Sequence, residues 1–215
     1  QDHTVERFAT ECPENLLGTS NPWLADKYGI SASGTNAHEL AMVYAALAEE
    51  RGSNPLDGQT RVFDDWTERF PDMPVALIDT FTSDSTLERM TPEQFERIKS
   101  FRIDSGDEKE IGAKVIRYLT LAGIDPTSRT LFFSNSLTPE KAVALADEFA
   151  VPKRIKVAFG IGGNAVNNVG LPGMNIVSKA VNVNGRGTVK LSDDHGKHMG
   201  EPTDVARYLS SNILD

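Results

Sequence analysis

Residues 75–79 read VALID, and the same kind of short apolar run returns as SFRID (100–104), TLFFS (130–134) and RIKVAFG (154–160). VALID shows no alternation of apolar and polar residues, the mark of a strand buried on both faces. Longer segments with helical spacing separate the runs. Thr91-Pro92-Glu93 opens a helix near 92–99, and EKEIGAKVIRYLTLAG (108–123) is amphipathic and ends at Gly123. Thr138-Pro139-Glu140 opens another, through about Ala150. Such repeating strand–helix units imply parallel strands joined by right-handed crossovers. Buried strands with helices outside form either an open doubly wound sheet or a barrel. Four or five units fall short of an eight-fold barrel of roughly 250 residues. The predicted fold is therefore α/β, an irregular barrel, incomplete in this chain.

Outward from that core the pattern continues. Upstream, AHELAMVYAALAEE (37–50) places Leu40, Tyr44, Leu47 and Ala48 on one helical face, with acids on the other. Downstream, a Gly/Asn-rich loop leads to NIVSKAVNVNGRGTVKLSD (175–193), which reads as two strands with Asn184-Gly185 and Gly187 in the turn between them. A short helix fits 202–210. The whole chain, 1–215, reads as one barrel-type catalytic domain, with 171–215 supplying strands and a short helix that complete it.

Composition narrows the function. The 215 residues carry 22 Lys+Arg and 31 Asp+Glu, a formal charge of −9, which argues against a general nucleic-acid or membrane-surface binder. A small anionic ligand remains compatible, because a few local cations suffice to bind it. One cysteine, Cys12, cannot form an internal disulfide, and QDHTVERFAT (1–10) has no signal-peptide core. No run approaches the length of a membrane span. A reducing, cytoplasmic location is expected.

Ligands of parallel α/β folds sit at the C-terminal ends of the strands. Here those ends offer Asp79, Asp104, Ser134 with Asn135, and the turn Gly160-Ile161-Gly162-Gly163-Asn164. Carboxylates so placed bind ribose hydroxyls, hold Mg²⁺ or stabilise positive charge developing on a sugar, and glycines admit a phosphate close to backbone N–H groups. Taken singly, each aspartate is equally well a helix cap or a turn residue. The glycine turn is neither a P-loop nor a dinucleotide fingerprint. His38, at the start of a helix, is a candidate reactive imidazole that Glu39 could orient. Asp193, Asp194, His195 and His198 lack the alignment of a metal site. Lys190 and Lys197 flank a loop that could face an anion, although each alone reads as a solvated lysine.

Seven segments, taken in order, resemble one family: GTSN (18–21), GTNAHE (34–39), DTFT (79–82), RIDSGD (102–107), FSN (133–135), FGIG (159–162), and KLSD (190–193) with Gly196-Lys197. In order and spacing they are similar to the nicotinate phosphoribosyltransferases, over nearly the whole chain. The resemblance implies an irregular type II phosphoribosyltransferase barrel. It also implies the reaction of nicotinate with 5-phosphoribosyl-1-pyrophosphate, giving nicotinate mononucleotide and pyrophosphate in NAD biosynthesis. ATP would be a co-substrate that phosphorylates His38, and Mg²⁺ would neutralise the pyrophosphate. By the same resemblance, Asp79 and Asp104 flank the ribosyl centre. Ser134, Asn135, Gly160, Gly162 and Gly163 cradle the 5′-phosphate, while Arg102, Thr35 and Ser20 lie by the base or ribose. Ser20 stands where nicotinamide-using relatives carry aspartate, which favours the acid substrate over the amide.

The sequence also departs from the family. Asn135, Gly163 and Asn168 stand where aspartate, threonine and aspartate are usual. An arginine-rich strand is expected just upstream of Gln1, so the N-terminal half of the same protein is an expected partner, in a homodimer. A second class of reading is a non-catalytic or regulatory relative; a third keeps the chemistry but with nicotinamide or quinolinate as substrate.

Overall fold

The computed structural model describes residues 1–163, 170, 176–194 and 196–210. Its centre is a four-stranded parallel sheet of β1 (Val75–Leu77), β2 (Ser100–Ile103), β3 (Thr130–Phe133) and β4 (Lys156–Phe159), in the order β1-β2-β3-β4. Every expected strand is present, shorter by one to three residues than its apolar run. Each helix between strands crosses over to the next parallel neighbour, as the alternation required. Among the described residues the sheet is open.

The helices form where local chemistry satisfies their ends. Helices α1 (Asp2–Glu11), α2 (Pro22–Tyr28), α3 (His38–Glu50) and α4 (Pro55–Arg69) precede the sheet. Next come α5 (Ser83–Arg89), α6 (Pro92–Arg97), α7 (Glu108–Leu121), α8 (Pro139–Lys153) and, last, α9 (Pro202–Ser210). Thr91 and Gln94 close a reciprocal capping box on α6. Asp107 accepts from the amides of Lys109 and Glu110 at the start of α7, and Thr138 caps α8. Helices α1, α2, α4 and α5 lie outside the sequence expectations. Their apolar stripes are narrow or interrupted by Gly58 and by charge, so periodicity is weak although Asn21-Pro22 and Asn54-Pro55 mark two of the starts.

Two cores flank the sheet. Phe101, Ile103, Leu131 and Phe133 point to one face and pack with Val115, Leu119, Leu145 and Phe149 of α7 and α8. At roughly 1.5–3 kcal/mol for each fully buried large side chain, this face supplies much of the folding free energy. The second core joins α3, α4 and α9 through Ala41, Ala45, Leu56, Val62, Phe81 and Tyr208, with Val189 and Leu191. Here the structure corrects the expected face of α3. Ala41, Met42, Ala45 and Ala46 are its buried residues, and Leu40, Tyr44, Leu47 and Ala48 are only half-buried. The reason is close helix approach: a Cβ on Gly58 would lie 2.5 Å from Ala45 N and from Tyr44 C, so small residues must face each other.

The downstream hairpin is also shorter than expected. It consists of β5 (Asn182–Val183) and β6 (Arg186–Gly187), paired antiparallel, with Gly187 in the strand and the turn confined to Asn184-Gly185. No described helix is long and apolar enough to cross a membrane.

Candidate active site

The register of the sheet places the strand-end residues abreast. Leu77 pairs with Arg102, and Ile103, Phe133 and Phe159 share a register position. The ladder continues past the strands, with Ser134 N donating to Ile103 O at 3.0 Å and Gly160 N to Phe133 O at 2.9 Å. Asp79, Asp104, Ser134 and Gly160 therefore form one row across the sheet. On β2, Phe101 and Ile103 face the core, so Arg102 and Asp104 share the opposite face with the row. A Cβ added to Gly160 would lie 3.1 Å from the Phe132 ring and 3.3 Å from Ser134 Cβ, a tight fit that glycine relieves.

The first turn of α3 reaches over this face. His38 is buried, with Nδ1 3.1 Å from Thr80 Oγ1 and Nε2 3.2 Å from Asp104 Oδ2 and 3.9 Å from Asp79 Oδ2. An ionised carboxylate only accepts, so Nε2 carries a proton, and in the neutral ring Nδ1 accepts from the Thr80 hydroxyl. Glu39 does not orient the ring as expected. It turns away from the ring, and its Oε1 accepts from Ala180 N at 2.5 Å.

Arg102 and Asp104 knit the row together. Arg102 donates from Nε to Ser134 Oγ at 2.9 Å, from Nη1 to Thr35 Oγ1 at 2.6 Å, and from Nη2 to Asp104 Oδ1 at 3.1 Å. Ser134 Oγ also donates to Asp104 Oδ1. Burial by itself would raise the Asp104 carboxyl. The hydrogen bonds from His38 and Ser134 and the Arg102 charge outweigh it and hold the group well below the usual carboxylate range.

A second layer staples the loops after β1 and β2. Ser105 Oγ donates to Asp79 Oδ2 at 2.5 Å and accepts from Asp193 N at 3.2 Å. Asp193 in turn accepts from Ser83 N at 2.8 Å and Ser83 Oγ at 2.5 Å. Burial pushes its carboxyl up to about 6, against the Ser83 hydrogen bonds and with the charges of Asp79 and Asp84 adding to the rise. Thr80 O accepts from Leu191 N and Ser192 N, and Asp194 accepts from Gly106 N at 3.1 Å. Gly106 has φ +72, and a Cβ there would lie 2.9 Å from Asp193 Cβ. Thr80, Ser83, Ser105 and Asp193 thus belong to the site's framework. In the sequence Thr80, Ser105 and Asp193 were marked only by their place in the DTFT, RIDSGD and KLSD segments, and Ser83 carried no signal.

Not every expected residue joins the cluster. Ser20 is exposed, next to the parallel bridge between Thr19 and Ala32, and the structure does not bring it into the Arg102–His38 network of described residues. Gly162 and Gly163 are exposed, with open space where a Cβ would stand. Asn135 directs Nδ2 to Gly106 O at 3.4 Å, a backbone contact. Asn164, Asn168 and His195 lie outside the described residues.

A buried imidazole between a hydroxyl and a carboxylate, beside a guanidinium and a row of strand-end polar groups, can move protons and stabilise developing charge. The model of the nicotinate phosphoribosyltransferase (NAPRTase) family matches residues 1–212. The chain belongs to that family. It is similar to nicotinate phosphoribosyltransferase of Xanthomonas campestris pv. campestris strain B100, at 35% identity over 91% of this chain and 48% of that protein. The Chromobacterium violaceum protein of the same name is 35% identical over 97% of the chain and 51% of its own length. The chain thus spans about half the length of the curated relatives it matches. Among solved structures, nicotinate phosphoribosyltransferase from Porphyromonas gingivalis superposes with a TM-score of 0.89 at 32% identity, over 99% of this chain and 55% of that one. The Vibrio cholerae enzyme gives 0.88 at 30%, over 100% and 51%. The α/β architecture is therefore that of part of the NAPRTase fold.

Proposed function

We propose that this chain carries the phosphoribosyl-transfer site of a nicotinate phosphoribosyltransferase. The pyridine nitrogen of nicotinate attacks C1 of 5-phosphoribosyl-1-pyrophosphate, the C1–O bond breaks, and pyrophosphate leaves. The observation that carries the reading is the buried His38–Asp104–Arg102–Ser134 network on the strand-end row of a NAPRTase-family fold.

Roles follow from chemistry. Asp79 and Asp104 provide negative charge beside a ribosyl centre that becomes positive as pyrophosphate departs. Ser134, Asn135, Gly160, Gly162 and Gly163 bind the 5′-phosphate, and Arg102 with Thr35 and Ser20 positions the base and ribose. Mg²⁺ enters with the pyrophosphate as part of the substrate, because a hard cation prefers those oxygens. A ring nitrogen of His38 takes the γ-phosphoryl group of ATP, releasing ADP, and water later releases phosphate, so ATP hydrolysis is coupled to transfer. The remaining length of the family's proteins completes the site, in a cytoplasmic homodimer that serves NAD biosynthesis.

The test is to supply nicotinate, the phosphoribosyl donor, Mg²⁺ and ATP to the protein together with the remaining half, and to follow mononucleotide by mass spectrometry. Product is expected, with nicotinate preferred over nicotinamide in direct competition. His38→Ala should abolish the ATP hydrolysis that accompanies turnover; unchanged hydrolysis would sink the phosphohistidine step. Folded protein that makes no product under these conditions would point to the non-catalytic relative.

A further inference from the structure

Lys190 has a largely buried side chain whose ammonium is bonded to no counter-ion among the described residues. The residue is 8% exposed. No hydrogen bond or ion pair joins its Nζ to any described residue, whereas Lys197 is paired with Asp194 and Lys141 with Glu108. The solvated reading of Lys190 from sequence is thus corrected for the side-chain stem, which is buried.

The strand pattern gives its direction. Val189 and Leu191 are buried in the core with Phe81 and Tyr208, so Lys190 between them faces the other way. That side is the strand-end row. The next two amides, Leu191 N and Ser192 N, bond Thr80 O at 2.8 and 3.3 Å, and Thr80 holds the His38 ring. The charges that act on Lys190 are the carboxylates of Asp79 and Asp104 and the ammoniums of Lys179 and Lys197. Burial lowers its pKa, and the two carboxylates oppose that shift.

A charge on a largely buried stem, with no bonded partner among the described residues, marks a place for an opposite charge from outside. Neighbouring carboxylates stop short of bonding it: Asp104 is bonded to His38, Arg102 and Ser134, and Asp79 to Ser105 through Oδ2, while Asp79 Oδ1 has no hydrogen-bond partner among the described residues. The nearby charges of Lys179 and Lys197 favour a multiply charged oxyanion over a single carboxylate, and an ammonium suits phosphate oxygens as a point charge.

We propose that Lys190 binds a phosphate group of the substrate. The inference rests on the phosphoribosyl-transfer reading for the identity of that substrate. The group is either the ribose 5-phosphate monoester or the diphosphate.

The experiment titrates the purified protein calorimetrically, at fixed ionic strength, with inorganic pyrophosphate and separately with ribose 5-phosphate. Wild type, Lys190→Met and Lys190→Arg are compared. One probe should bind wild type, and Lys190→Met should weaken it by roughly tenfold or more. Lys190→Arg should restore most of the affinity, and the affected probe names the phosphate. Without ligand, Lys190→Met should melt no lower than wild type, because no bonded contact of the ammonium is lost. Equal affinity in Lys190→Met, or no binding of either probe to wild type, overturns the proposal. So does a lowered melting temperature with unchanged affinity, which would make Lys190 only a balance for Asp79 and Asp104. Lys190-dependent anion binding without any turnover, even with the remaining half supplied, would refute the phosphoribosyl-transfer reading and leave anion binding by Lys190 standing. Turnover with an unchanged KM for the phosphoribosyl donor in Lys190→Met would do the reverse.

Discussion

His38 and Arg102 bind opposite oxygens of one carboxylate: Nε2 of the histidine lies 3.2 Å from Asp104 Oδ2, and Nη2 of the arginine 3.1 Å from Oδ1. The two come from distant segments, a helix start and a strand, and Asp104 fixes their mutual placement. Replacing Asp104 by Asn keeps the shape and removes the charge, leaving an NH₂ group against a donor. Activity in the proposed reaction should fall by about 10²–10³, the range for losing one electrostatic contact at a reacting centre.

The depressed pKa of Asp104 carries a sign for stability. Its usual value is 3.8, and the folded value is lower. The stabilisation is fully present above about pH 4 and is lost as pH falls through the folded value. Urea unfolding of Asp104→Asn should therefore show a shallower loss of stability in acid than wild type. Parallel curves would mean that the carboxylate contacts add nothing to folding.

Asp193 behaves oppositely. Its pKa rises from 3.8 to about 6, so between those values the folded state binds more protons than the unfolded one. Stability contributed here is full below pH 4 and declines as pH rises through 6. Asp193→Asn still accepts from Ser83 N and removes the buried charge. The variant should be more stable than wild type at pH 7.5 and nearly equal at pH 4, by roughly 1–3 kcal/mol at the higher value. A stability deficit at both pH values would show that the Ser83 contacts outweigh the burial of charge.

Two glycines separate packing from binding. Alanine in place of a mid-helix glycine normally stabilises by up to about 1 kcal/mol. Gly58→Ala should instead destabilise by more than about 2 kcal/mol, because its Cβ would strike the backbone of Tyr44 and Ala45. Gly162→Ala meets open space and should leave the melting temperature unchanged while raising KM for the phosphoribosyl donor. A normal KM would remove Gly162 from the phosphate cradle.

Tyr208 is fully buried and stacks on Phe81, with ring centroids 5.7 Å apart. Its hydroxyl has no partner among the described residues, and burial pushes its pKa up to about 12. Tyr208→Phe keeps the stacking and removes an unsatisfied polar group, so chemical denaturation should find the variant as stable as wild type or more so. A loss above about 1 kcal/mol would reveal a bond that the hydroxyl makes in solution.

Much of the sheet was legible because buried parallel strands and capped helices leave local signatures. VALID, SFRID, TLFFS and the Thr-Pro-Glu helix starts are readable within a few residues of themselves. Helices α4 and α5 were not. Gly58 and Gln59 face inward on α4 because α3 and Leu77 O lie opposite, partners that no window of sequence contains. The turn before α5 places Thr82 at φ 80, which nothing in Asp79-Thr80-Phe81-Thr82 announces.

For the site, the sequence by itself determined the inventory: which residues end the strands, that His38 begins a helix, and which family the ordered motifs belong to. Those properties are local in the chain, set by residue type and by spacing along it. Tertiary structure alone decided the partners. Strand register set Asp79, Asp104, Ser134 and Gly160 abreast, Thr80 rather than Glu39 received the ring of His38, and residues 190–194 folded back to bury Lys190 and join Asp193 to Ser83. Those contacts close loops of more than a hundred residues, such as the 110 between Ser83 and Asp193. They exist because two hydrophobic cores hold the distant segments against one sheet, and local preference carries no information about such distances.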